Sequence, residues 1–184
     1  RSDEALASLE RAQRADPLSL IIIADIGMVL HFARRYDEAI GQLRKVFEMD
    51  PGFNSGHRHL GMAFEQKGRY REAIAEFEKS LEVARNPFSL GSLGHAYAVS
   101  GNREKALQTL AEVRELSQRR YVPPFAAALI HTGLSDKERA LEWLEKSLDD
   151  RSLETIFLSV DPRFDRLRSD PRFAGLLRRM GLGR

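Results

Sequence analysis

Residues 57–77 read HRHLGMAFEQKGRYREAIAEF, and this stretch decides the fold. Leu60-Gly61 and Phe64 fall at helical spacing, Lys67-Gly68-Arg69 interrupts the pattern, and Tyr70, Ala73 and Phe77 resume it. That is the signature of two helices joined by a short turn. The pattern recurs along the whole chain. Alanines stand at Ala5, Ala39, Ala73, Ala106 and Ala140, separated by 34, 34, 33 and 34 residues. Each is followed four places later by a large apolar residue: Leu9, Leu43, Phe77, Leu110 and Leu144. A period this regular predicts a tandem array of stacked helix pairs, whose core is continuous but one-dimensional.

The units fall at 20–53, 54–86, 87–120 and 121–154. The first carries Ile23, Ile26, Gly27 and Leu30 in its first helix and Tyr36, Ala39, Leu43 and Val46 in its second, closed by Asp50-Pro51. Proline cannot continue a helix and biases the residue before it away from helical geometry. The third unit repeats the scheme with Leu93-Gly94, Tyr97, Ala106, Leu110 and Val113. In the fourth, Ala127-Ala128 replaces Leu-Gly. Gly27, Gly61 and Gly94 sit mid-helix, where glycine costs about 1 kcal/mol relative to alanine. Close approach of the partner helix offsets that cost, and the alanine of each second helix is expected to fill the facing position. Turns are expected at Lys67-Gly68-Arg69, Ser100-Gly101-Asn102 and Thr132-Gly133-Leu134, with Ser135 and Glu138 as a capping box.

These residues resemble the tetratricopeptide repeat (TPR) family. Leu60-Gly61, Phe64, Gly68, Tyr70, Ala73 and Phe77 match its pattern, and Leu93-Gly94, Tyr97, Gly101, Ala106 and Leu110 match nearly as well. His57 and Pro124 depart from it, standing where the pattern has a first-helix tryptophan; Ser80 and Ser147 stand where it has its last alanine. The resemblance covers about residues 3–150. It implies an all-α, right-handed superhelical solenoid of antiparallel helix pairs, here one domain over 1–184.

The two ends differ from the repeats. Residues 3–17 read as a lone second helix closed by Asp16-Pro17, a half-repeat expected to belong to a longer chain. Residues 155–184 form the expected C-terminal cap. Ser152 to Val160 reads as a further helix. Then Asp161-Pro162-Arg163-Phe164 recurs as Asp170-Pro171-Arg172-Phe173, each Asp placed to cap a helix and each Pro at its first position. Phe164, Leu167, Phe173, Leu176, Leu177 and Met180 make an apolar stripe that would close the open end of the array, and Gly181 is a C-terminal stop. The stretch from Tyr121-Val122-Pro123-Pro124 through Phe173 is similar to the end of bacterial TPR regions fused to winged-helix regulators, kinases or nucleotide cyclases. That implies a regulatory module of a multidomain signalling protein.

The family resemblance also implies that first helices line a concave face. Carried over, that face takes Asp25, Met28, His31 and Phe32 from the first unit. The second gives Arg58, His59, Met62, Glu65 and Gln66. The third gives Phe88, Ser92 and His95, and the fourth Phe125 and Leu129. The Met and Phe members make it partly apolar, as a groove for a peptide or helix requires. Family members that clamp a terminal carboxylate use Lys, Asn and Arg; the corresponding positions here are Ala24, Met28, His59, Phe88 and Ser92, which argues against such a clamp.

Composition narrows the alternatives. The 184 residues include 30% charged and 42% hydrophobic side chains, with a formal charge of +2 and no cysteine. Disulfides and Cys-based zinc sites are excluded. A pI near 9.0 reflects a small cationic excess; Arg163, Arg166, Arg168 and Arg172 alternate with Asp161, Asp165 and Asp170, so mutual pairing explains them better than nucleic acid. His31, His59 and His95 lie on separate helices, which argues against a shared metal ion. No phosphate loop, His-Glu-x-x-His or nucleophile elbow occurs, so no enzyme activity and no cofactor is expected. The longest apolar run, Leu18 to Ile26, is too short to span a bilayer, and the expected setting is cytoplasmic. The expected partner is a protein or peptide, with self-association as the alternative: an oligomerisation or sensor domain controlling a fused effector.

Overall fold

The computed structural model describes residues 2–182, which are all-α; Gly183 and Arg184, the last residues of the expected cap, lie outside them, as does Arg1. The chain divides into two compact units, Arg1–Arg85 and Asn86–Arg184. The first unit holds α1 (Ser2–Ala15), α2 (Leu20–Phe32), α3 (Tyr36–Met49), α4 (Asn54–Gln66) and α5 (Tyr70–Val83). The second holds α6 (Pro87–Val99), α7 (Arg103–Ser117), α8 (Phe125–Gly133), α9 (Lys137–Asp149), two 3-10 helices (Leu153–Phe157 and Pro162–Leu167) and α10 (Pro171–Arg179).

In the first unit α2 pairs with α3 and α4 with α5. On α3, Ala39, Leu43 and Val46 recur at intervals of four and three and are fully buried, as one helix face turned to a core must be. The glycine positions explain how closely the pairs approach. A Cβ on Gly27 would lie 2.5 Å from Leu43 Cγ, and one on Gly61 would lie 2.7 Å from Phe77 Cε1. The facing group is therefore the large residue four places after the repeat alanine, not the alanine itself as expected. Gly94 differs again: its Cβ would meet Ile130 of the next pair at 2.6 Å and Thr109 of its own pair at 3.1 Å.

Between α4 and α5 lies a polar link. His57 Nδ1 meets Glu76 Oε2 at 2.7 Å and its Nε2 meets the Pro51 carbonyl at 2.7 Å. Lys79 donates to the other Glu76 oxygen at 2.7 Å. The His57 ring stacks on Phe47 of α3, with centroids 4.3 Å apart. This histidine thus does at the family's tryptophan position what an aromatic would do, and adds polar contacts to two acceptors.

The turns inside the four pairs share one device. Each places a left-handed residue after the first helix: Arg34 (φ 64°), Gly68 (71°), Gly101 (88°) and Ser135 (60°). Only two are glycine, although a side chain in this region costs about 1–2 kcal/mol. The expected third turn is shifted: Gly133 ends α8, and Ser135 is the turn residue. The expected capping box is corrected as well. Asp136 caps α9 by accepting from the Arg139 backbone N–H at 3.3 Å, because Ser135 is committed to the left-handed turn.

In the second unit α8 is buried on every side from Phe125 to Thr132. It packs against α6 through small residues: a Cβ on Gly91 would lie 2.8 Å from Ala126 Cα, and one on Gly133 would lie 2.9 Å from Ala98 Cβ. On its other side the C-terminal segment returns over it. Phe164 stacks edge-on against Phe125 at 5.5 Å, within a core shared with Leu129, Leu144, Leu167, Phe173 and Leu176. The helix expected at Ser152 to Val160 is a 3-10 turn, Leu153–Phe157, ending before Asp161. Asp161 and Asp170 cap as expected, accepting from Arg163 and Arg172 backbone N–H groups at 3.0 and 2.8 Å, each with Pro at the first position. Arg163 is buried; its Nη2 lies 2.6 Å from Asp161 Oδ2, and its Nη1 donates to Ser92 of α6 at 3.0 Å.

Candidate partner-binding site

The positions singled out for a concave face fall into two groups. Eight are interior: His31, His59, Met62, Glu65, Ser92, His95, Phe125 and Leu129 are each at most 4% exposed. For Phe125 and Leu129 the reason is the returning C-terminal segment, which places Phe164 against α8. Ser92 is engaged by Arg163 of the same segment. Six remain half-buried: Asp25, Met28, Phe32, Arg58, Gln66 and Phe88.

Five of these six belong to α2 and α4, which lie side by side in the first unit. On α2, Asp25, Met28 and Phe32 follow intervals of three and four and share one helix face. On α4, Arg58 reaches along its helix, with Nη1 4.0 Å from the Met62 sulfur. Asp25 is the electrostatic centre of this face. Burial pushes its carboxyl above the usual range, and the Arg58 charge only partly reverses that. A half-buried acid beside methionine and phenylalanine gives a surface that can read both charge and apolar shape.

Among the described residues no group of three or more His, Asp or Glu side chains is arranged to hold a metal ion. No helix among them is long and apolar enough to cross a membrane. His131, a further first-helix histidine, is buried, and burial holds its imidazole below the ordinary pKa against the attraction of Asp136 3.4 Å away. Sequence reading missed a separate cleft between α1 and α3. Its one signal was Gly41, a mid-helix glycine outside the repeat pattern.

Comparison with known proteins bears first on the repeats. Residues 24–89 match the family model described as tetratricopeptide repeat. No curated protein matches the chain. Among solved structures, the chain is similar to a thermophilic TPR protein of Thermus thermophilus, with a TM-score of 0.68 at 20% identity, over 96% of this chain and 91% of that one. It is also similar to YrrB, described as a TPR protein with an unusual peptide-binding site, with a TM-score of 0.54 at 17% identity, over 92% and 89%. A chain of the APC/C hetero-tetramer Cut9–Hcn1 matches with a TM-score of 0.65 at 14% identity, over 99% of this chain and 34% of that one. At these identities the likeness is one of architecture: the chain has the tetratricopeptide-repeat fold.

Proposed function

We propose that the protein is a non-catalytic interaction module that holds a peptide or helix against the α2–α4 face of its first unit. The carrying observation is the half-buried stripe of Asp25, Met28 and Phe32 beside Arg58 and Gln66. Such a stripe offers apolar area and fixed charge without being consumed by the core. The peptide-binding description of YrrB, a protein of like fold, supports the reading. In this reading the module is the regulatory part of a larger signalling protein, as the resemblance read in the sequence from Tyr121 to Phe173 implies.

The test uses peptides selected from a random display library against the protein. Met28→Glu combined with Phe32→Glu should weaken them by about a hundredfold or more, as loss of central anchors does, with helicity unchanged. Undiminished binding to the double variant refutes the reading. Met62, the deeper methionine, is unsuitable because it is interior.

Self-association is the second reading. Leu18, in the turn before α2, and Ile21, in its first turn, are 75% and 64% exposed, an apolar edge that a second copy could cover. Light scattering over a concentration series decides: a monomer throughout excludes it.

A further inference from the structure

Helix α2 reads LIIIADIGMVLHF, apolar on every side apart from Asp25 and His31. His31 is interior, so Asp25 is the ionisable group on the outer side of this helix. Helices apolar all round are ordinarily buried all round. That holds for α6, buried from Ser89 to Tyr97, and for α8, buried from Phe125 to Thr132. It fails for α2. Ile23, Ile26 and Leu30 are buried on one side, while on the opposite side Ile21 is 64% exposed and Met28 and Phe32 are half-buried. Ile21, Asp25, Met28 and Phe32 follow intervals of four, three and four. At about 100° per residue they fall within roughly 60° of one another and run about 16 Å along the helix. Alternating intervals of three and four are those of a helix–helix seam, in which a single polar position fixes the register.

Asp25 interrupts this seam between Ile21 and Met28. Among the described residues it makes no hydrogen bond and no salt bridge, and Arg58 of α4 acts on it only at longer range. Arg58 instead reaches along its own helix, with Nη1 4.0 Å from the Met62 sulfur. A half-buried carboxylate in an apolar seam calls for a cation from outside. We propose that the partner of this face is an amphipathic helix whose apolar seam carries one lysine, placed opposite Asp25, with apolar side chains against Ile21, Met28 and Phe32. A lysine has an apolar stem that can lie across Met28 and a compact charge that ends at the carboxylate. Arg58 can stay beside the same group, because a carboxylate has two oxygens and accepts from more than one donor. A glutamate at that position would meet Asp25 with like charge, so the pair selects the partner and its register more than it adds affinity. The inference rests on the reading above, that the α2–α4 face holds a peptide or helix, and adds the conformation and the charge of that ligand.

The experiment is fluorescence anisotropy of labelled peptides titrated with the full chain. The peptides have about 18 residues, some 27 Å as a helix and so longer than the stripe. Each carries leucine along the seam and alanine or glutamine elsewhere. The central seam position is lysine in one peptide and glutamate in a second; a third keeps the lysine beside a proline. The lysine peptide should bind saturably, the glutamate peptide about tenfold more weakly or worse, and the proline peptide about a hundredfold more weakly. Asp25→Lys should invert the preference between the first two, and circular dichroism verifies that the variant is folded. Equal affinity for lysine and glutamate overturns the proposal, as does a proline peptide that binds as tightly, which would mark an extended occupant. So does a lysine peptide without saturable binding up to about 1 mM, or a dimer in light scattering that Ile21→Glu makes monomeric, which would put a second copy on this face. Display-selected peptides that need Met28 and Phe32 but lack a cation facing Asp25 would overturn this inference and leave the reading above standing. A lysine peptide that binds unchanged to Met28→Glu combined with Phe32→Glu would remove both.

Discussion

Gly91→Ala in α6 should destabilise the second unit, although alanine is the better helix former by about 1 kcal/mol. The new methyl carbon would lie 2.8 Å from Ala126 Cα and 3.1 Å from its carbonyl oxygen. Ordinary contact begins near 3.4 Å, so α8 must retreat by about 0.6 Å. The obstacle is backbone, so no rotamer change relieves it. Nor is α8 free to move, since it is buried from Phe125 to Thr132 and carries the core shared with Phe164. Overpacking of this kind costs about 3 kcal/mol at the upper end of its range. Set against the helix gain, the net loss is about 2 kcal/mol. With a urea slope of about 2 kcal/mol/M, the unfolding midpoint should fall by about 1 M. Trp143, the single tryptophan, packs against this core, so its fluorescence follows the relevant transition. Gly41→Ala is the matched control: with open space around it, it should gain up to about 1 kcal/mol by far-ultraviolet circular dichroism. A Gly91→Ala midpoint at or above the wild type refutes the claim that backbone contact sets this glycine.

Arg151 is exposed and left-handed (φ 53°), so Arg151→Gly should stabilise the second unit by about 1 kcal/mol, read by Trp143 fluorescence in urea. Because burial lowers the pKa of His131, the unfolded chain takes up this proton first as pH falls below about 6.5. Stability should therefore be level above that pH, decline below it, and stop declining once the folded form also protonates. Denaturation series from pH 8 to 5 should show a flatter profile for His131→Asn, and an identical slope in both proteins would contradict the assignment. Asp161→Ala takes the carboxylate away from the buried Arg163 guanidinium and removes a cap, and should cost about 3–5 kcal/mol in the same fluorescence assay. A loss under about 1 kcal/mol, the scale of an exposed pair, would show the contact to be peripheral.

The period of about 34 residues made the helix pairs legible, because small and large apolar residues at fixed offsets admit few other arrangements. The contacts inside the pairs were less legible. Gly27 and Gly61 announced a close approach, but only the structure identifies Leu43 and Phe77, not the repeat alanines, as the facing groups. Gly94 gave the same sequence signal yet serves a neighbour in the next pair, Ile130. The fate of Phe125 and Leu129 was hidden for a different reason. Their cover, Phe164, lies far along the chain, and repeat spacing carries no information about where a non-repeating tail returns. Its stripe of Phe164, Leu167, Phe173 and Leu176 was visible as a cap, but its reach to Ser92 of α6 through Arg163 was not. Asp25 and Arg58 were placed on one surface by the family resemblance alone, and the electrostatic link between them came from the structure.

The link from His57 to Glu76 and Pro51 has a consequence for protein engineering. Repeat proteins are commonly hardened by rewriting each unit toward the family average, which here would install tryptophan at position 57. The indole has one donor where the imidazole makes two contacts, so either Glu76 Oε2 or the Pro51 carbonyl would lose the contact that His57 gives it. An averaged design of this unit should therefore come out weaker than its parent unless position 76 is rewritten together with position 57.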